Sequence, residues 1–305
     1  MMTVLRDLAL IKADPFHMVD DMMENCPVLD SMPFNPTTDG MEHKFGSFDL
    51  VEGGGFKKQD EEPEAAVATG HVSSITTGIL SFKIEAGVDS LRRLYGTRDP
   101  QAGLAKHVAR VLPKIIRNNS MKFEAQVLDL LVKYAITNGT AIDAGGTGNG
   151  YAIVAVRWVD DEVCGLYNPA GFEQGTLFTA TPKYAGGVYT KDGAEYVGID
   201  YKCDIDVLLN NRKCVGAVVN VDATHKPTAE QIDELGIACR AGSDGRSMLV
   251  MHPKAALMLK AIKGNMLHMT PADANVNRSV TAWGTLPVVE TYNFGDDGLI
   301  AKQTV

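Results

Sequence analysis

The sequence is poor in the features that announce chemistry. Its five cysteines, Cys26, Cys164, Cys203, Cys214 and Cys239, are odd in number and scattered, with no CxxC pair. Neither a disulfide framework nor a zinc ribbon is signalled, and the thiols read as reduced small hydrophobes. Long apolar runs are missing as well: the stretch from Tyr151 to Val156 is cut short by charge, far below the roughly 18 residues of a membrane helix. The first ten residues carry only Arg6 as a cation and are broken by Asp7, which does not fit a secretory signal and implies synthesis in the cytoplasm. No repeat of fixed period and no low-complexity tract occurs, so solenoids and propellers drop out.

Catalytic signatures are equally scarce. No GxxxxGK[ST], HExxH or GxSxG string is present. Those spacings are what cradle a phosphate on backbone amides, set two zinc ligands on one helix face, or hold a serine on a strained turn. Gly145 to Gly150 form a glycine-rich run, but Tyr151 stands where a third fingerprint glycine belongs. A helix is expected before the run and a strand after it, the reverse of a dinucleotide site, and a mobile loop is the plainer reading. His17, His43, His71, His107 and His225 lie among polar or loop-like neighbours, and His252 and His268 flank a predicted helix without a carboxylate motif. The acidic runs Asp60-Glu61-Glu62 and Asp160-Asp161-Glu162 can bind a cation or solvate a loop, and solvation is the commoner role of such runs. No catalytic, metal or cofactor residue is assigned.

What is present is an ordinary folded composition, 45% hydrophobic and 22% charged, over 305 residues. That length allows two lobes. The formal net charge of −9 should repel nucleic-acid phosphate from the protein as a whole. Residues 1 to about 45 contain Pro27, Pro33 and Pro36, which forbid a continuous helix and make a poor central strand. This reads as an arm whose Val28, Leu29, Met32 and Phe34 dock on a neighbouring subunit or pack on their own body. From Gly46 to Val88, β-branched residues, Gly53-Gly54-Gly55 and the charged stretch Lys57 to Glu64 read as a long twisted hairpin with an exposed portion. Phe56, Lys57, Lys58, Asp60, Glu61 and Glu62 are its candidate contacts with other copies.

After Pro100 apolar residues recur at threes and fours from about Gln101 to Ile136, predicting one long helix kinked or divided near Pro113 and Asn118-Asn119-Ser120 and ended by Asn138-Gly139. Short strands and loops follow to about Asp206. The last hundred residues alternate strand and helix as a compact α+β unit. There Thr228 with Gln231 matches a capping box, and Pro253 suits a first helical position.

Five stretches together carry a resemblance: CPVLDSMPF, HKFGSFDLVEGGGFKKQDEE, LSFKIEAGVDSLRRLYG, YVGIDYKCDIDVLLNNRKCVGAVVNVD and WGTLPVVETYNF. In this order, arm, hairpin, helix and α+β unit, the chain resembles major capsid proteins of tailed bacteriophages with the HK97-like fold, of the short podovirus type. The resemblance implies an α+β fold with an N-terminal arm (1–45), an extended β-hairpin loop (46–88), a peripheral domain with a long spine helix and a β-rich section (89–214), an axial α+β domain (215–295) and a C-terminal tail (296–305). It further implies a non-enzymatic subunit of the virion's capsid shell, made in the host bacterial cytoplasm. Copies would assemble into hexamers and pentamers around double-stranded DNA bound without sequence specificity, with a portal protein at one vertex and decoration proteins as further partners. The chain begins directly with the short arm, so a separate scaffolding protein is expected, along with noncovalent assembly. A decoration or tail component, or a soluble enzyme with a dispersed site, are the alternatives.

Overall fold

The structure, a computed structural model, describes residues 26–52, 67–169, 178–184, 187–240, 246–260, 267–270, 280–284, 286–295 and 298–305. Phe56, Lys57, Lys58, Asp60, Glu61 and Glu62, with residues 1–25 of the expected arm, lie outside the described residues.

The first elements are α1 (Pro27–Ser31), β1 (Phe34–Pro36), β2 (Glu42–Glu52), β3 (Val67–Thr76), β4 (Gly78–Gly87) and α2 (Val88–Tyr95). The long helix α3 (Pro100–Thr137) leads to β5 (Ala141–Asp143), β6 (Tyr151–Arg157), β7 (Val163–Tyr167), β8 (Thr179–Pro182), β9 (Tyr189–Lys191) and β10 (Ala194–Leu209). The chain continues with β11 (Val215–Val221), α4 (Ala229–Ala238), β12 (Ser247–Met251), α5 (Pro253–Lys260), β13 (Leu267–Thr270), β14 (Val280–Trp283) and β15 (Leu286–Glu290).

Helix α3 is one continuous element of 38 residues. Asp99 caps it by accepting from the Gln101 amide at 3.0 Å, and Pro100 takes the first turn, where its missing N–H costs nothing. The expected division near Pro113 does not occur. Pro113 cannot donate to the Ala109 carbonyl, but both residues are exposed, so water can satisfy that acceptor. Buried Ser120 gives its hydroxyl to the Ile116 carbonyl at 2.9 Å and so leaves no orphan donor. At the far end Asn138 caps the helix and Gly139 adopts φ +68°, a left-handed turn that favours glycine.

The helix packs on two sheets. One, of seven described strands in the order β13-β14-β15-β12-β6-β11-β5, has β6, β11 and β12 at its centre. Alternate residues of these strands face opposite ways. Val154, Val156, Ala217, Val219 and Val250 join the core that also takes in α3, while Ile153, Ala155, Val218, Leu249 and Met251 meet Ile232 and Leu235 of α4 and Ala255 and Leu259 of α5. A strand covered on both faces needs an unbroken apolar run, which is what VGAVVNV and SMLVM supply. The capping box expected at α4 is present, with Thr228 and Gln231 each bonded to the other's backbone amide.

The second sheet is built on β10, 16 residues long, which runs antiparallel to β4 from Tyr196↔Gly87 to Ile205↔Gly78 and also pairs with β7, β8 and β9. Val197, Ile199, Tyr201, Cys203, Ile205 and Val207 alternate into the core, where Tyr201 stacks on Phe82 at 5.0 Å. The stretch YVGIDYKCDIDVLLNNRKCVGAVVNVD covers most of β10 and then β11, so along it the chain passes from this sheet into the seven-stranded one. The expected boundary at residues 214 and 215 shifts, because β5 and β6 pair with β11 and belong to the seven-stranded sheet.

Strands β2 and β3 form a two-stranded sheet of their own, paired from Glu42↔Thr76 to Glu52↔Val67 with a bulge between Phe48 and Leu50. The hairpin thus begins at Glu42, inside the segment expected to be arm. At about 3.3 Å per residue it reaches roughly 35 Å.

Candidate assembly surfaces

The arm segment is the first correction. Val28, Leu29 and Met32 are buried in the chain's own core and Phe34 packs against it. Pro27 starts the single turn of α1, and Pro36 ends β1, an edge strand parallel to β7, where a missing donor is tolerated. Gly165 makes room for this, since a Cβ there would lie 2.4 Å from the Phe34 ring. Apolar residues placed on a ready-made sheet edge are spent on their own body, so of the two readings of this segment the internal one holds for residues 26–36.

A buried carboxylate fixes the arm in place. Glu124 of α3 is fully buried, and its Oε2 accepts from the Val28 and Leu29 amides at 3.0 and 3.3 Å. Its Oε1 accepts from Asn293 Nδ2 at 2.9 Å and from the Thr291 hydroxyl. Four donors converge on one acceptor-only group, which satisfies a charge that would otherwise be costly to bury. This joint, linking arm, spine helix and the segment after β15, was missed in the sequence. Its one signal is a lone acid at a core position of the helical period, next to Phe123 and three residues before Val127.

The hairpin is rooted on the outer face of the second sheet. Phe45 and Ile75 pack on Cys164, Leu166 and Leu208, and buried His43 stacks on Phe45 with centroids 6.1 Å apart. Thr77 secures the base by donating through both its amide and its hydroxyl to the Met41 carbonyl, at 2.8 and 3.1 Å. Beyond this root the two strands bond only to each other among the described residues, and Val72 is 77% exposed.

Other sequence candidates resolve into structure. The glycine run follows a short strand, β5, rather than a helix. The Gly146 amide donates to the Asn220 carbonyl at 3.0 Å, and a Cβ on Gly146 would come within 2.3 Å of that oxygen. Gly146 and Gly150 permit a close approach to the β11 bulge, and the amides of Gly145, Gly146 and Gly150 are engaged within the chain. Asn220, at φ +58°, also ties down the C-terminal residues through paired bonds to Gln303 at 2.8 and 2.9 Å. In the second acidic run Asp161 accepts from Asn35 at 2.9 Å and Glu162 from Asn211 at 2.6 Å. Among the described residues no group of three His, Cys, Asp or Glu side chains is placed to hold a metal ion, and no helix is long and apolar enough to cross a membrane.

All five cysteines are free and buried. Burial, with the Glu124 charge behind it, pushes the Cys26 thiol up to about 12, and burial raises Cys164 to about 11 and Cys239 to about 12. Thiols so far from the thiolate are packing groups, not nucleophiles. A polar cluster decorates the second sheet: Glu85 is ringed by Lys83, by Lys191 at 3.3 Å and by Lys183 at 3.9 Å. Tyr184, Tyr189 and Tyr196 stack beside it at 6.0 and 6.1 Å.

A spine helix packed on two sheets, a self-paired hairpin and a locked N-terminal segment define the class: this is the α+β, HK97-like fold of phage capsid chains. Two solved structures show the likeness in particular. A chain of the near-atomic-resolution structure of bacteriophage Epsilon15 superimposes with a TM-score of 0.53 over 85% of this chain and 84% of that one, at 12% identity. A chain of the bacteriophage JBD30 capsid does so with a TM-score of 0.50 over 89% and 92%, at 11% identity. No protein-family model and no curated protein sequence matches the chain. At such identities the shared property is the fold.

Proposed function

We propose that this chain is a major coat protein of a tailed-phage head, assembling with itself into hexamers and pentamers that enclose double-stranded DNA. The observation that carries the reading is the hairpin. A two-stranded ribbon of about 35 Å is at best marginally stable by itself, and its outer edges present unpaired backbone groups. A ribbon rooted firmly at one end, and paired beyond it only with itself among the described residues, is suited to lying across a neighbour, where it buries area that the chain's own core does not supply. The acids and lysines from Lys57 to Glu62 are assigned to the same contact. The role is structural rather than catalytic, in a shell made in the bacterial cytoplasm and carried in the virion. A separate scaffolding protein, a portal at one vertex and decoration proteins are its further partners.

Electron microscopy and sedimentation of the purified chain, with and without the products of neighbouring genes, test the reading. Closed shells, or rings of five and six, are expected. A chain that stays monomeric under all these conditions and turns over a substrate contradicts it.

A further inference from the structure

The charge of this acidic chain is unevenly placed. Between Ser90 and Phe123 eight lysines and arginines face a single acid, Asp99, a local charge of +7 in a chain of net −9, which leaves −16 on the remainder. Lys106, Arg110, Lys114 and Arg117 of α3 are all exposed. Their spacing of four, four and three residues puts them on one helix face, a line about 16 Å long at 1.5 Å per residue. Leu104, Val108 and Leu112 each precede one of these cations by two residues and are buried, about 200° round the helix at 3.6 residues per turn. The stripe therefore points directly away from the core.

None of the four forms an ion pair with a described residue. The second half of α3 differs, since Lys133 meets Asp129 at 2.6 Å one turn away. Like charges one turn apart destabilise a helix, and no described residue pairs with them to relieve it. The stripe also offers a protein partner little to bury, because the large exposed hydrophobics of α3, Met121 and Leu130, both lie outside the interval from Lys106 to Arg117. Protein interfaces need apolar anchors. A phosphate backbone needs only positioned cations.

We infer that this stripe is a contact face for the sugar-phosphate backbone of double-stranded DNA, held without regard to base sequence. Four cations against a net negative chain make a weak, salt-sensitive hold, which suits a polymer that has to enter and leave. The inference rests on the coat-protein reading only for where the DNA is met, because binding is measurable on unassembled chain.

The test is fluorescence anisotropy of a labelled short duplex with the full-length, unassembled chain over a series of salt concentrations. Four phosphate contacts give a log affinity against log salt slope of about −3.6, with no dependence on duplex sequence. The K106Q/R110Q/K114Q/R117Q variant should bind roughly tenfold or more weakly at low salt with a slope near zero, and R110Q/K114Q should lose about half the slope. K133Q, outside the stripe, should match the wild type. Wild-type slope and affinity in the quadruple variant overturn the inference. So does a quadruple variant that binds the duplex normally but no longer assembles, which would make an acidic protein segment the occupant. Shells from wild type without duplex affinity sink this inference and leave the coat reading standing; duplex affinity in a chain that never assembles does the reverse.

Discussion

The seven-stranded sheet and the hairpin are both β structure, yet they are stabilised in opposite ways. In the sheet every residue of β11 and β12 is buried, between α3 on one face and α4 and α5 on the other. In the hairpin, strands of similar or greater length bond only to each other among the described residues and are rooted on the body through Phe45 and Ile75. The first arrangement completes its core within one chain. The second has no such cover among the described residues, and on the proposed function a neighbouring copy would supply it.

The sharpest way to break that comparison is to replace residues 47–72 by a tight turn. Assembly into shells should be lost entirely, while the urea midpoint of the remaining body moves little, since the removed strands lie beyond the root. Closed particles from that variant would show that the ribbon is dispensable. A smaller effect is expected at the arm joint. Glu124→Ala leaves two buried amides and two side-chain donors unpaired, which should cost about 3 kcal/mol of unfolding free energy, with Glu124→Gln costing less because one acceptor oxygen remains. A urea titration showing no loss for Glu124→Ala would refute the joint.

The smallest effect is a pH dependence at Glu85. Hydrogen bonds from Lys83 first, then from Tyr189 and Lys191, hold the Glu85 carboxyl down from 4.5 to about 2. A carboxyl lowered in the fold contributes stability that is present above its unfolded value and lost as pH falls through the folded one, here between about 4.5 and about 2. Over that window the wild type should lose more stability than Glu85→Gln, and parallel curves from thermal melts would exclude the contribution.

Much of this fold was legible from residue pattern. The 3.6-residue period of α3, the Thr228 and Gln231 box and the unbroken apolar runs of β11 and β12 each follow from local chemistry. What escaped depends on distant partners. The alternation from Val197 to Val207 was present in the sequence, but nothing local says that β10 belongs with β4, more than a hundred residues earlier. The parallel pairing of β12 with β15 has the same character. Three prolines in the arm argued only against a continuous helix or a central strand; the choice between its two readings needed the sheet edge of β7 and the space beside Gly165. Glu124 was invisible because a lone acid in a helix reads as surface, and only the fold brings the ends of two other segments onto it. Of the candidate contacts, the four arm residues pack on the chain's own body, and the assembly role is proposed for the hairpin alone.

That assignment is tested most directly by amide hydrogen exchange across Glu42–Glu52 and Val67–Thr76, measured on free subunits and on assembled shells. Rapid exchange beyond the root in the free subunit, strongly slowed in the shell while β11 and β12 are protected in both, is the predicted result. Equal protection of the hairpin in the two states would contradict the account.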